Sequence, residues 1–249
     1  MKMNDGFLLV ATHIKSYLTA AQMLCESIKD YHPKADVALY TEDRWLEDPA
    51  NDVFDHVYGG MPNSQRSKLL ACSMNDDYDR ICYIDADCFC QHYDIRIVHD
   101  LLQDKDIIFT PIREYNAAKI WWEPKEVTHP HGGWYVYQNS EKMKRFMLDW
   151  WDNWNYCNRQ WRWKYKQSVC RGWDQFPLGI MLGVVAEGDP WYKPNVRWGL
   201  TDSTRWNYIN GHRFEMEGVE DKDIVIQSYS SMKFKLRWED EHPGTQESM

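Results

Sequence analysis

The chain opens on an unbroken apolar run, GFLLVAT at 6–12, the pattern of a strand covered on both faces. Behind it Leu18, Ala21, Leu24, Cys25 and Ile28 recur at helical spacing until Pro33 ends the run. DVALYTED (36–43) and VFDHVYGG (53–60) read as two more strands, and a helix is expected from about Gln65 to Met74. RICYI (80–84) and DIIFTP (106–111) are further buried strands. Strand and helix therefore alternate through the first 110 residues, which predicts an α/β fold with a mostly parallel, Rossmann-like, doubly wound sheet flanked by helices. The second part is less regular. GGWYVYQ (132–138) alternates like a strand behind a glycine pair. SEKMKRFMLDWWDNW (140–154) places Met143, Phe146, Met147, Trp150, Trp151 and Trp154 on one helical stripe facing the core, with Ser140 as its N-cap. WDQFPLGIML follows a stretch rich in Trp, Arg and Lys, and DIVIQSY (223–229) reads as a late strand. No repeat and no Gly/Ser-rich linker divides the chain. A single domain over 1–240 is expected, in halves 1–110 and 111–240, with a frayed polar tail at 241–249.

Composition narrows the class. The 249 residues suffice for a large core, and no apolar run reaches the roughly 18 to 20 residues of a membrane span. A net charge of −9 excludes a protein that coats nucleic acid or anionic lipid over its whole surface. Seven cysteines without regular spacing read as reduced thiols, and the N-terminus lacks a secretory apolar core, so a soluble, cytoplasmic protein is expected. Fourteen Trp and 15 Tyr exceed what such a core needs, so stacking surfaces for sugars or bases stand beside buried bulk as readings.

DRICYIDADCFC (79–90) runs a buried strand straight into Asp85 and Asp87. The D-x-D triplet alone says little, since 77–79, 104–106 and 221–223 also carry it. Its setting says more. Ligands of open α/β sheets bind beyond the carboxyl ends of the strands. On an extended segment both carboxylates would project into that crevice, with Ala86 facing away. Mg²⁺ or Mn²⁺ relieves such a pair, typically together with substrate phosphates. The competing reading is a solvated acidic turn. Cys82, Cys88, Cys90 and His92 lack zinc-knuckle spacing and read as small buried residues, while His129 and His131 in HPHGG read as hydrogen-bonded loop residues before they read as metal ligands. No G-x-G-x-x-G follows the first strand, which argues against a dinucleotide cofactor.

DYDRICYIDADCFC resembles the D-x-D segment of GT-A-fold glycosyltransferases, particularly glycogenin-like and bacterial galactosyltransferase-like members. The first βαβ (6–43), QRSKLLAC, GGWYVYQNSEKMKRFMLDW and GWDQFPLGIML resemble further blocks of that family, in its order, over roughly 6–180. The resemblance implies transfer of a sugar from a nucleotide-diphosphate sugar, a UDP-sugar by preference, to an acceptor hydroxyl with Mn²⁺ or Mg²⁺, the nucleotide held by 1–110 and the acceptor by 111–240. It implies that Ala11, Thr12 and His13 line the nucleotide pocket and that Arg66 or Lys68 lies near the donor. Gly132 and Gly133 would sit beside the donor sugar. Asp87 would bind the metal directly, and Asp85 the ribose or the metal. Asp174 and Gln175 would face sugar and acceptor, Asp174 as a general base in an inverting reaction or as support for a cationic sugar in a retaining one. Asp174 could equally cap the helix behind it. Where the family's late strand ends in a metal-binding His, this chain has Gln227 and Ser228, which puts the third ligand in doubt; Lys233 or Lys235 would neutralise the diphosphate.

Two other classes compete. A nucleotidyltransferase should carry a Gly-rich basic loop after its first strand, and VATHIKSY has no glycine. A catalytically dead sugar- or nucleotide-binding relative is the other. For the acceptor, residues 153–173 hold five basic residues and no acid. Within WRWKYK, Trp161, Trp163 and Tyr165 alternate with Arg162, Lys164 and Lys166, so an extended segment would separate a stacking face from a cationic one. The expected acceptor is a hydroxyl on a modified DNA base, read through 159–171, with a glycan or protein hydroxyl as the alternative.

Overall fold

A computed structural model describes residues 3–111, 129–164, 174–184, 195–210 and 220–229. A seven-stranded sheet is its centre, ordered β3-β2-β1-β4-β7-β6-β8. These strands are β1 (Asp5–Ala11), β2 (Val37–Thr41), β3 (His56–Tyr58), β4 (Arg80–Ile84), β6 (Ile107–Pro111), β7 (Pro130–Gln138) and β8 (Trp198–Leu200). All run the same way except β7, which lies antiparallel between β4 and β6. The mostly parallel expectation therefore holds, with one reversed strand inserted at its middle. A smaller sheet places β10 (Ile226–Tyr229) between β5 (Cys88–Cys90), antiparallel, and β9 (Tyr208–Asn210), parallel.

The apolar run of β1 is explained by cover on both faces. Phe7, Leu9 and Ala11 pack with Leu18, Ala21, Leu24 and Ile28 of α1 (Lys15–Tyr31). Leu8 faces the other core, with Leu69 and Cys72 of α2 (Lys68–Met74) and Phe146 and Trp150 of α3 (Glu141–Lys164). β7 divides in the same way, Trp134 and Val136 to one side, Tyr135 and Tyr137 to the other.

Helix α3 starts where expected, the Ser140 hydroxyl accepting from the Met143 N–H at 3.4 Å. It runs ten residues beyond the expected end at 154, because nothing between 141 and 171 is glycine or proline. Met143, Phe146, Met147 and Trp150 are fully buried, whereas Trp151 and Trp154 are half-buried and lie against each other at 5.1 Å. Two short α-helices, α4 (Gln175–Met181) and α5 (Ser203–Trp206), and four 3-10 segments, the longest Tyr93–Leu102, complete the described residues. No helix among the described residues is long and apolar enough to cross a membrane.

Candidate active site

β4 ends at Ile84, and its last act is to place Asp85, whose N–H donates to the Gly133 carbonyl of β7 at 2.8 Å. Ala86 and Asp87 then form a turn before β5 begins. The expected extended alternation therefore fails here. β5 leaves the main sheet to pair with β10, so the backbone must bend at the acids. Ala86 lines the same cleft as both carboxylates and is itself buried at the edge of the core around α1. Val10 and Thr12 at the end of β1, Tyr17 of α1, Gln65 and Arg66 ahead of α2, and Tyr83 of β4 make the other walls. Of these, Val10, Tyr17, Gln65 and Tyr83 escaped the sequence reading. Tyr83 was findable, since it stands two positions before Asp85 on the same strand face.

Under the cleft lies a buried cation. Lys68, 3% exposed, donates to the Gly132 carbonyl at 2.6 Å and to Asp85 Oδ1 at 3.3 Å. Its ammonium also lies 3.0 Å from Asp174 Oδ2, within ion-pair distance though off the line of an aligned hydrogen bond. Burial works against its charge, but the Asp174 and Asp85 carboxylates outweigh burial and hold the lysine above its ordinary range. Asp174 is equally buried; burial would raise its pKa, but Lys68 and Arg66 hold the carboxyl below the usual carboxylate range. Arg66 Nε reaches it at 3.4 Å. Asp174 does occupy the N-cap position of α4, yet its side chain caps no N–H; it faces the two cations instead. The Trp150 indole fixes it from behind, donating to its carbonyl at 2.7 Å. Gln175 opens α4 and is partly exposed.

The glycine pair exists because the acids close on it. A Cβ at Gly133 would stand 2.6 Å from Asp85 Oδ2, and one at Gly132 would stand 3.1 Å from Asp174 Oδ2. His131 Nδ1 lies within hydrogen-bond distance of the Gly133 N–H (3.0 Å) and of Asn207 Nδ2 (2.9 Å), and burial pushes the imidazole down to about 4, so the ring is neutral. His129 is 1% exposed, with Nδ1 at 2.9 Å from the Pro130 carbonyl.

Among the described residues, charge is not balanced in this cluster. Arg66 and Lys68 stand against Asp85, Asp87 and Asp174, and both cations contact Asp174 while only Lys68 contacts Asp85. Asp87 is left over. Burial, and then the Asp85 charge beside it, push its carboxyl up to about 7.

Among the described residues no three His, Cys, Asp or Glu side chains gather as a metal site. Cys82, Cys88 and Cys90 are buried thiols whose pKa values burial raises, as small core residues should be. Gln227 and Ser228 lie on β10 opposite Phe89 and Cys88, one register step from Asp87, and the Ser228 hydroxyl meets the Cys88 thiol. Ala11 is fully buried against α1 and is not part of the cleft wall. Thr12 is in the wall, its hydroxyl donating to the Ser64 carbonyl at 2.7 Å. His13 is exposed and left-handed (φ 80°), pinned by its N–H on Glu42 at 2.6 Å and its ring on Asn63 Oδ1 at 2.8 Å. Lys233, Lys235 and the tail at 241–249 lie outside the described residues. In 159–171, Trp161 to Lys164 belong to α3, so the extended separation of aromatic and basic faces does not occur there; 165–171 lie outside the described residues. The triplets at 77–79 and 104–106 serve the fold. Asp106, for one, is a buried hub for Lys142 at 2.6 Å and the Arg197 N–H at 2.7 Å.

No family model and no curated protein sequence matches the chain. Solved structures do. The galactosyltransferase LgtC, solved with donor and acceptor sugar analogues, matches with a TM-score of 0.54 at 12% identity, over 90% of this chain and 86% of that one. GlyE of Streptococcus pneumoniae gives 0.62 at 12% identity, over 96% and 60%. A glycosyltransferase involved in glycosylating the major capsid of PBCV-1 gives 0.54 at 11%, over 95% and 99%. The chain has the GT-A glycosyltransferase fold. The fold class expected from the strand–helix alternation and from the DADCFC segment is thereby met. In this GT-A chain the acid cluster sits beyond the carboxyl end of β4, the sheet position where α/β folds bind ligands.

Proposed function

We propose that this protein transfers a sugar from a nucleoside-diphosphate sugar, with a uridine nucleotide preferred, to an acceptor hydroxyl, and that Asp87 and Asp85 hold Mn²⁺ or Mg²⁺ for the reaction. One observation carries the reading: among the described residues the site holds one more carboxylate than cations, and Asp87 is the acid that no described cation contacts. Hard divalent cations suit that donor set, because they take one or two protein carboxylates and fill the remaining positions with water and phosphate oxygens. When bound, the metal supplies positive charge against the departing diphosphate.

The chain's own groups do the rest. Thr12 and Tyr17 wall the part of the cleft assigned to the nucleoside, with Ala11 and His13 shaping the turn behind it. Gly132 and Gly133 leave room for a sugar ring beside Asp85 and Asp174. Asp174 and Gln175 face the sugar and acceptor, Gln227 or Ser228 approaches the metal from β10, and Lys233 or Lys235 adds charge for the diphosphate. The GT-A relatives include an enzyme solved with sugar donor and acceptor analogues, which supports the substrate class. A reducing, cytoplasmic setting belongs to the same proposal, since the described cysteines Cys25, Cys72, Cys82, Cys88 and Cys90 are buried free thiols.

The acceptor we propose is a hydroxyl on a modified DNA base, supported by the five basic residues and no acid of 153–173 in a chain of net charge −9. A protein or glycan hydroxyl is the second reading, favoured by the capsid-glycosylating relative. Acceptor-free hydrolysis of UDP-sugars with Mn²⁺ and with EDTA tests the reaction, and equal UDP binding in excess EDTA would remove the metal bridge. Gel-shift titration at low ionic strength tests the acceptor. Salt-sensitive DNA binding supports the base, and its lack moves the acceptor to protein or glycan.

A further inference from the structure

We infer that Tyr83 is a positioning residue: its hydroxyl holds the Asp85 carboxylate by one oxygen and leaves the other for the ligand. The hydrogen bond belongs to the fold, whereas its use rests on the reading of Asp85 as a holder of Mn²⁺ or Mg²⁺. The Tyr83 O–H donates to Asp85 Oδ1 at 2.6 Å, and the Lys68 ammonium donates to the same oxygen at 3.3 Å. The main chain of Asp85 is tied separately, its N–H donating to the Gly133 carbonyl at 2.8 Å. Backbone and Oδ1 are thus both fixed, and both side-chain donors have taken the same oxygen. Oδ2 is the one that remains.

A hydroxyl can hold a carboxylate in place only if it is itself immobile, and the core behind Tyr83 makes it so. Tyr83 is 2% exposed although it borders the cleft. Its ring stacks on Tyr135, with centroids 4.8 Å apart and planes 23° from parallel. Tyr135 in turn packs on Phe109 and Trp150, at 5.7 and 5.9 Å, and its hydroxyl lies 3.3 Å from the Cys72 thiol. A phenol has one proton to donate, and Asp85 takes it. The spacing serves the contact, because residues two apart at the end of β4 project to the same side. Groups that hydrogen-bond a metal's carboxylate ligand from behind orient it, and losing one typically weakens metal binding by about 10- to 100-fold.

MnCl₂ titration in the presence of UDP, with free Mn²⁺ read by electron paramagnetic resonance, decides this beside thermal melts on wild type, Tyr83→Phe and Tyr135→Phe. Tyr83→Phe keeps the ring and its stack and removes only the hydroxyl. It should bind Mn²⁺ roughly 10-fold more weakly or worse, with a Tm lower by about 5 °C or less. Tyr135→Phe removes a neighbouring buried hydroxyl that meets Cys72 instead of Asp85, and should keep its Mn²⁺ affinity. Calorimetric UDP titration of Tyr83→Phe should return to the wild-type affinity as MnCl₂ is raised to saturation, which a distorted cleft would not do. Equal Mn²⁺ affinity in Tyr83→Phe and wild type would overturn the assignment while the metal reading stands. An equal loss in Tyr135→Phe would overturn it too, by making the effect one of packing. A Tyr83→Phe protein without a cooperative melt would show that the hydroxyl serves the fold and would end the inference. A wild type that takes up no Mn²⁺ with UDP sinks the metal reading, and this inference with it.

Discussion

Gly133→Ala is the sharpest probe of the site, because the added methyl has no free direction. Its Cβ would sit 2.6 Å from Asp85 Oδ2 and 2.6 Å from His131 Cε1, about 0.8 Å inside ordinary contact near ~3.4 Å. Neither neighbour can simply turn away. Asp85 is held by the Tyr83 hydroxyl at 2.6 Å and by Lys68 at 3.3 Å, and His131 by Asn207 at 2.9 Å and by the N–H of the mutated residue itself. Overpacking of this kind costs about 1–3 kcal/mol. The larger effect falls on function, since Asp85 must move by most of an ångström, and a displacement of ~1 Å in a catalytic arrangement costs on the order of 100-fold. Melting and acceptor-free UDP-sugar hydrolysis should therefore show a modest drop in Tm beside a loss of kcat/KM near two decades. Gly60→Ala is the control. Its φ of 78° strains an alanine by about 1 kcal/mol, but nothing lies within 4 Å of its Cβ, so activity should stay. Gly133→Ala with wild-type turnover would refute the tethered-acid geometry.

Asp87→Ala should abolish transfer while the protein folds, since it removes an acid whose own charge is disfavoured; titration with MnCl₂ should show metal binding lost, and retained full activity would sink the metal site. Asp104→Ala, at the exposed end of its triplet beside Lys105, should leave turnover within a few-fold. Burial lowers the pKa of His99, whose Nε2 lies 2.9 Å from the Gly6 carbonyl with Asp5, Arg80 and Asp100 around it. A depressed folded pKa means stability present above the unfolded value near ~6.5 and lost as pH falls through the folded one, so Tm should drop below pH 6.5, and less so in His99→Gln. Equal acid sensitivity in both proteins would remove His99 from that account.

Much of this was legible from the residues because it is set by local burial. A strand buried on both faces must be apolar along its buried length, and β1 after Asp5 and β4 after Arg80 are. The two acids were singled out because they follow such a strand, and they stand at the cleft. What was not legible depends on distant pairing. The bend at Ala86–Asp87 arises because β5 joins β10, some 140 residues later, which no local pattern announces. The reversal of β7 is hidden for the same reason: its alternation says which residues are buried but not which neighbours it lies between. The family resemblance of QRSKLLAC left open whether Arg66 or Lys68 lies near the donor. Only the folded positions of Asp85, Gly132 and Asp174 explain the burial of Lys68.

Asp174 is where chemistry and fold meet most closely. A general base works best with a pKa near the operating pH, ready to take a proton. Burial would raise the pKa of this carboxylate, but Lys68 and Arg66 hold it below its usual range, and accepting a proton would forfeit both ion pairs. A fixed negative charge is the better description, suited to stabilising positive charge that develops on a donor sugar. Asp174→Asn should then lower kcat for UDP-sugar turnover while leaving the shape of the pH–rate profile unchanged, because no proton on Asp174 titrates in the working range. An acid limb present in the wild type and absent from Asp174→Asn would restore the base, and with it the inverting reaction that needs one.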